Sequence, residues 1–145
     1  MGNLTDFTID DGLKAFRFKN LVGDVIGEFA FNPTDTSIIE RYDKVVETFN
    51  GIELKGESED EIKNYILSLS KTFKEQFDYL LNRDVSESLF GVYSPITIFA
   101  DGDFYAEIIL ESVKKAIEQE FDVRLKKKAK KIAKYTNKYQ KNYHK

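Results

Sequence analysis

The run Val25-Ile26-Gly27-Glu28-Phe29-Ala30-Phe31-Asn32-Pro33-Thr34-Asp35-Thr36-Ser37-Ile38 changes its period partway along. Up to Phe31 the residues alternate: Phe29 and Phe31 share one face, Glu28 and Ala30 the other. That is the pattern of a half-buried strand. Gly23 and Gly27 beside it leave room for a bulge. Pro33 cannot donate to a ladder and holds Asn32 extended, so the sheet ends there. Beyond it the spacing becomes helical. Ile38, Tyr42, Val45 and Phe49 fall at i, i+4, i+7 and i+11, and Ser37 with Glu40 fits a capping box. A strand closed by proline and followed at once by a helix predicts an α+β fold.

Toward the N-terminus the strand pattern repeats. Phe7 and Ile9 alternate with Thr8, Asp10-Asp11-Gly12 is a turn signal, and Ala15-Phe16-Arg17-Phe18-Lys19 alternates again before the Asn20–Asp24 loop. The expected arrangement is a three-stranded antiparallel β-meander over about residues 5–31.

Toward the C-terminus three helices are expected, over about 36–49, 59–82 and 103–134. The first stops at Asn50-Gly51. The second starts at a capping box of Ser58 and Glu61 and carries the stripe Ile62, Ile66, Leu69, Phe73, Phe77 and Leu80. Asn82-Arg83-Asp84 breaks it. Ser86–Phe90 reads as one short turn, and Gly91–Ala100 as a loop with an extended Ile96–Phe99 stretch. The third helix takes its N-cap from Asp101-Gly102-Asp103 and turns Ala106, Leu110, Val113, Ile117, Phe121 and Leu125 to one side. Residues 1–134 form a single α+β domain in this reading. Residues 135–145, with Tyr135, Tyr139 and Tyr143 spaced by four, form a flexible basic tail. One domain suits 145 residues, enough to bury about 70% of the unfolded surface.

Charge is polarised along the chain. From Arg124 to Lys145 there are 10 basic residues and no acid, while the whole chain has 22 basic and 25 acidic residues. The first 123 residues therefore carry 12 basic against 25 acidic, a formal −13 beside +10, hidden within a net −3. Such a body repels polyanions while its end attracts them, which favours holding partners over transforming a substrate. The basic end has three readings: a nucleic-acid arm with tyrosines stacking on bases, a contact for an acidic protein surface, or a solvated helix end. The −13 body disfavours the first. The same polarity would let copies of the chain associate head to tail.

The chain contains no cysteine, which removes disulfides, thiolate catalysis and cysteine-based zinc sites. Its single histidine, His144, is one residue from the end, where no general base is held in place. Asp101-Gly102-Asp103 resembles the opening of a calcium loop, but Phe104, Tyr105 and Ala106 follow where further ligands belong. Glu57, Glu59, Asp60 and Glu61 suit the positive end of a helix. No phosphate-binding glycine loop is present. A non-enzymatic protein without cofactor or metal is expected. No apolar run approaches a membrane span and the first residues lack a secretory pattern, so the expected location is intracellular. Phe16, Phe18, Phe29 and Phe31 read either as core beneath the helices or as a docking face for an apolar partner.

Two segments carry a resemblance. Gly27–Tyr42 is similar to the strand, "F-x-P-x-D" turn and "R-Y/F" helix start of tail assembly chaperones from siphophages and prophages of Gram-positive bacteria. Phe73–Asn82 followed by Ser88-Leu89-Phe90-Gly91 resembles a second segment, a helix leading into an "LFG" turn. A further helix and a basic Tyr/Asn-rich end match in kind. The turn between Asn82 and Ser88 lacks the family's glycines, and Tyr93–Phe99 is longer and more apolar than its counterpart. The resemblance implies a chaperone in the host cytoplasm that binds and solubilises the tape measure protein and helps recruit tail tube subunits. The expected partner-binding positions are Phe73, Phe77, Leu80 and Phe90, with Lys126, Lys127, Lys128, Lys130 and Lys131. The alternatives are a nucleic-acid-binding accessory protein acting through the basic end, and a structural tail or connector subunit whose N-terminal strands add to a neighbour's sheet.

Overall fold

The computed structural model describes residues 2–53 and 56–143, with side chains described as far as Lys134. Its elements are β1 (Lys14–Lys19), β2 (Val25–Phe31), α1 (Ser37–Asn50), α2 (Glu59–Leu81), α3 (Ser86–Phe90) and α4 (Tyr105–Tyr143). The fold is α+β, a small antiparallel sheet followed by helices, as the period change at Pro33 implies.

The sheet has two strands. β1 and β2 pair with Phe16 opposite Phe29, Phe18 opposite Gly27 and Lys14 opposite Phe31, with an irregularity between Phe18 and Lys19. The Asn20 side chain closes the hairpin by accepting from the Val22 and Asp24 amides at 3.1 and 2.9 Å. The register puts Phe16, Phe18, Phe29 and Phe31 on one face, where they stack at 5.3–5.8 Å between centroids. Phe29 and Phe31 are buried and Phe16 and Phe18 pack against them, so this face is core.

The expected strand at Phe7–Ile9 does not form, and the meander is a hairpin. Asp10 and Asp11 accept from the Gly12 and Leu13 amides, and Gly12 has φ +89°, so the chain turns sharply just before β1. Turns of this kind compete with ladder pairing. Phe7 and Ile9 stay exposed. Gly91–Ala100 is a loop, as expected, with a single bridge joining Ile98 to Phe104.

α1 runs one residue past its expected end, and its cap is not the expected one. Thr36 makes no side-chain capping bond. Asp35 does the work instead: Oδ1 accepts from the Ser37 amide at 3.2 Å and the Ser37 hydroxyl at 2.7 Å. A carboxylate at this end also answers the helix dipole, which Ser37 cannot. α2 begins as expected, with Ser58 Oγ accepting from the Glu61 amide at 3.2 Å. Glu61 returns its bond to the Glu57 amide rather than to Ser58. α2 ends at Leu81, one residue early, because Asn82 adopts the left-handed conformation (φ 52°) and the Arg83 amide reaches back to the Asp78 carbonyl.

Ser86–Phe90 is a short helix, a fourth beside the three expected. Asp78 Oδ1 accepts from the Val85 and Ser86 amides at 2.8 and 3.0 Å, and Oδ2 from the Ser86 hydroxyl at 2.8 Å. α4 starts two residues later than expected, because Asp101–Asp103 forms a turn of its own, with Asp101 accepting from the Asp103 amide. Its backbone then continues to Tyr143 rather than stopping at 134. No glycine or proline follows Gly102, and the lysines suit the negative helix end. The side chains of Tyr135, Tyr139 and Tyr143, and His144 altogether, lie outside the described residues.

The core gathers β2, α1, α2, α3 and the start of α4 around Phe31, Ile38, Phe73, Phe77, Leu89 and Ile109. Burial along α4 ends near Ala116, and every described residue from Leu125 to Lys134 is exposed. α4 is thus half core helix and half projecting arm. No helix among the described residues is long and apolar enough to cross a membrane.

Candidate functional site

Phe73, Phe77 and Leu80 are fully buried and Phe90 nearly so. Phe73 stacks on Phe49 at 4.7 Å, and Phe77 packs on Phe90 at 5.8 Å. These four positions hold α2 and α3 in the core and offer no surface to a partner, which corrects their expected role. The apolar stripe of an amphipathic helix marks a contact, and here the contact is intramolecular.

The other expected positions, Lys126, Lys127, Lys128, Lys130 and Lys131, lie exposed on the α4 arm. Lys126 Nζ meets Asp122 Oδ2 at 3.0 Å, an exposed pair of little energetic weight. Arg124, counted by charge with the arm, has another task. Nη1 donates to Asn32 Oδ1 at 3.0 Å and Thr34 Oγ1 at 2.6 Å, and Nη2 to the Gly12 carbonyl at 2.9 Å. It bolts the N-terminal segment and the Pro33 turn to α4. Beside it Lys14 and Glu120 pair at 2.6 Å, and this bond above all holds the Glu120 carboxyl below its ordinary range.

The two segments that carry the family resemblance meet at one side chain. Tyr105 is fully buried, and its hydroxyl donates to the Leu89 carbonyl at 3.0 Å. Burial pushes that hydroxyl up to about 12, so it serves as a fixed donor. A Cβ on Gly27 would lie 2.9 Å from the same carbonyl and would collide with the Tyr105 oxygen. Gly27 of the first segment and the Leu89 carbonyl of the second therefore lie side by side against the Tyr105 hydroxyl. At the other end of the first segment Arg41 spans Asp35 Oδ2 (3.3 Å) and the Leu80 carbonyl (2.9 Å), joining the Pro33 turn to α2. The Ser37 hydroxyl first, and then Arg41, hold the Asp35 carboxyl below its ordinary value against the opposing effect of burial.

Open surface lies elsewhere. Phe18, Leu21 and Ile26 of the hairpin face Tyr93, Ile98 and Phe99 across an apolar cleft of ≈ 630 Å³, floored by Tyr105 and Ile108. Phe99 stacks on Tyr105 at 5.0 Å and meets Tyr93 edge-on at 5.5 Å. Leu21 is fully exposed and Ile98 60% exposed, large apolar side chains at the two lips. Neither was expected as a site residue. The available signal was the apolar pair Leu21-Val22 set inside a turn, where polar residues are the norm.

Two further depressions, sharing only Tyr42, lie along the seam between α1 and α4. Phe49, Ile52, Phe104 and Leu110 line one and Ile39 and Ile117 the other. Their rim is acidic. Glu107, Glu111 and Glu118 border them, with Lys114 the basic residue at one end. Burial first, and then the carboxylates of Glu111, Glu118 and Asp43, raise the Tyr42 hydroxyl above its ordinary value.

Among the described residues no group of three or more His, Asp or Glu could hold a metal ion, and no buried side-chain polar atom lacks a partner. Comparison of the chain with protein-family models, curated proteins and solved structures found no match.

Proposed function

We propose that this protein is a non-enzymatic tail assembly chaperone that binds a tape measure protein in the host cytoplasm, keeps it soluble and helps recruit tail tube subunits. The observation that carries the reading, beside the resemblance of Gly27–Tyr42 and Phe73–Gly91, is the open apolar cleft lipped by Leu21 and Ile98. A long, largely helical client exposes apolar stripes that aggregate in water. A cleft of this kind accepts such a stripe as knobs in a groove. Burying one leucine- or phenylalanine-sized knob contributes about 1.5–3 kcal/mol before the cost of association. Two or three knobs then give weak, reversible holding, which suits a factor that must later release its client.

The partner surface in this reading is the cleft and not Phe73, Phe77, Leu80 and Phe90. The test is co-expression with an aggregation-prone tape measure fragment. The parent chain is expected to bring the fragment into the soluble fraction. A Leu21→Asp, Ile98→Asp variant with an unchanged far-ultraviolet circular dichroism spectrum is expected to leave it insoluble. A folded parent that leaves the fragment insoluble would overturn the reading. A double variant that works as well as the parent would remove the cleft from it.

A further inference from the structure

The acid-rimmed seam between α1 and α4 and the basic arm of α4 are complementary surfaces of one molecule that cannot meet within it. The seam presents apolar side chains, Tyr42, Phe49 and Ile117 among them, beside Glu107, Glu111 and Glu118. The arm presents Lys126, Lys127, Lys128, Lys130 and Lys131 with no acid. Both lie on the same continuous helix, and their centres are about 16 residues apart, roughly 24 Å at 1.5 Å per residue. An unbroken helix cannot fold back on itself, so the arm can reach such a seam only in another molecule.

Helix phase strengthens the match. Glu107, Glu111, Lys114 and Glu118 recur at intervals of three or four, and the same face continues as Phe121, Leu125 and Ala129. In the first half of α4 this face borders α1. In the second half α1 has ended, and Leu125 stands exposed between lysines. A narrow apolar stripe flanked by positive charge is the counterpart of an apolar seam flanked by negative charge.

We infer that two copies of the chain pair antiparallel along α4, each laying its basic arm into the acid-rimmed α1/α4 seam of the other. Antiparallel pairing forms both contacts in one two-fold interface and so closes, whereas a single arm-to-seam contact repeated head to tail would grow without end. Lys114 sits within the rim as a like charge to the incoming arm. Glu107, Glu111 and Glu118 outnumber it, so the seam stays attractive to the lysines. The Lys126–Asp122 pair on the arm is exposed and yields to a better partner at little cost. The inference is independent of the chaperone reading, because it uses the chain's own two surfaces.

Sedimentation velocity on the full chain tests it. The parent is expected to dimerise reversibly. Raising salt from about 0.1 M to about 1 M, which shortens the Debye length from about 10 to about 3 Å, is expected to weaken the dimer by about tenfold or more. An arm variant (Lys126→Glu, Lys128→Glu, Lys131→Glu) and a seam variant (Glu107→Lys, Glu111→Lys, Glu118→Lys) change exposed side chains only, and each is expected to be monomeric. Mixed together they are expected to form a heterodimer, because the acidic arm then meets the basic seam and the basic arm meets the acidic seam. A parent that stays monomeric at high micromolar concentration overturns the inference, whatever the variants do. So does a parent that grows into open chains, a dimer indifferent to salt, or a monomeric parent whose arm instead binds DNA or RNA. Folded variants that remain monomers on mixing also overturn it.

Discussion

Tyr105 shows what a buried hydroxyl does in a core that is otherwise apolar. Its single bond, to the Leu89 carbonyl, satisfies the only polar atom that the ring carries inward. Gly27 leaves the space for it, since any side chain there would displace either the hydroxyl or the carbonyl. The consequence for pH follows from burial. The hydroxyl is held up to about 12 in the folded chain, against an ordinary value near 10 in the unfolded one. Below pH 10 both states are protonated and stability is independent of this group. Between 10 and 12 the unfolded chain loses the proton first, so stability falls as pH rises, by on the order of 2–3 kcal/mol once both states are ionised. Urea midpoints measured from pH 8 to 12 are expected to decline above pH 10. In Tyr105→Phe the decline should be shallower, from a lower plateau, because the Leu89 carbonyl is then left unsatisfied at about 1–3 kcal/mol. A decline of equal steepness in the two proteins would place the alkaline sensitivity elsewhere, for example at Tyr42.

At the scale of elements, ends matter more than middles. The stripes of α1 and α2 follow from apolar spacing, but the starts of α1 and α3 are each capped by a carboxylate that spacing does not reveal. Asp35 serves the start of α1, and Asp78, from the last turn of α2, serves the start of α3. Asp78 thereby fixes the corner between α2 and α3 and, through α3, the position of the Leu89 carbonyl. Replacing it leaves two backbone amides without their acceptor, while the Ser86 hydroxyl keeps the Lys74 carbonyl at 3.1 Å. Asp78→Ala is expected to cost about 1–2 kcal/mol, the usual worth of a helix cap or slightly more. Chemical denaturation measures that directly. A loss below about 0.5 kcal/mol, the level of an ordinary surface substitution, would mean that α3 is held by Leu89 and Phe90 alone.

For the whole molecule, the division runs along α4. Its first half supplies Tyr105, Ile109 and Val113 to the core, Arg124 bolts the N-terminal segment across it, and Leu125 to Lys134 form an exposed basic arm. Stability and the arm are therefore separable. Truncation after Lys134 is expected to leave the cooperative thermal transition in place and to move its midpoint by no more than a few degrees, the equivalent of about 1 kcal/mol or less. Differential scanning calorimetry of the two lengths makes the comparison. Loss of a single cooperative transition would show that the end of the helix belongs to the folding unit.

Some of this protein was legible in its residues alone. The Val25–Ile38 period change, the prolyl stop, the start of α2 and the polarity of charge all depend on neighbours within a few positions, and local spacing records them. The expected third strand fails for a local reason as well: Phe7 and Ile9 alternate, but two side chains specify no partner, and Asp10 and Asp11 turn the chain at Gly12 just before β1. What spacing could not supply was which apolar surface stays open. Phe73, Phe77 and Leu80 make the stronger pattern and are buried because they are strong. Leu21 and Ile98, which make no pattern, are exposed at the lips of the cleft. Nor could it separate Arg124 from the lysines that follow. Only the fold brings Gly12, Asn32 and Thr34 to that guanidinium from 90 or more residues away. Periodicity assigns each residue to a face of its own element, whereas the choice of what covers that face is made by contacts between elements, and those exist only once the chain has packed.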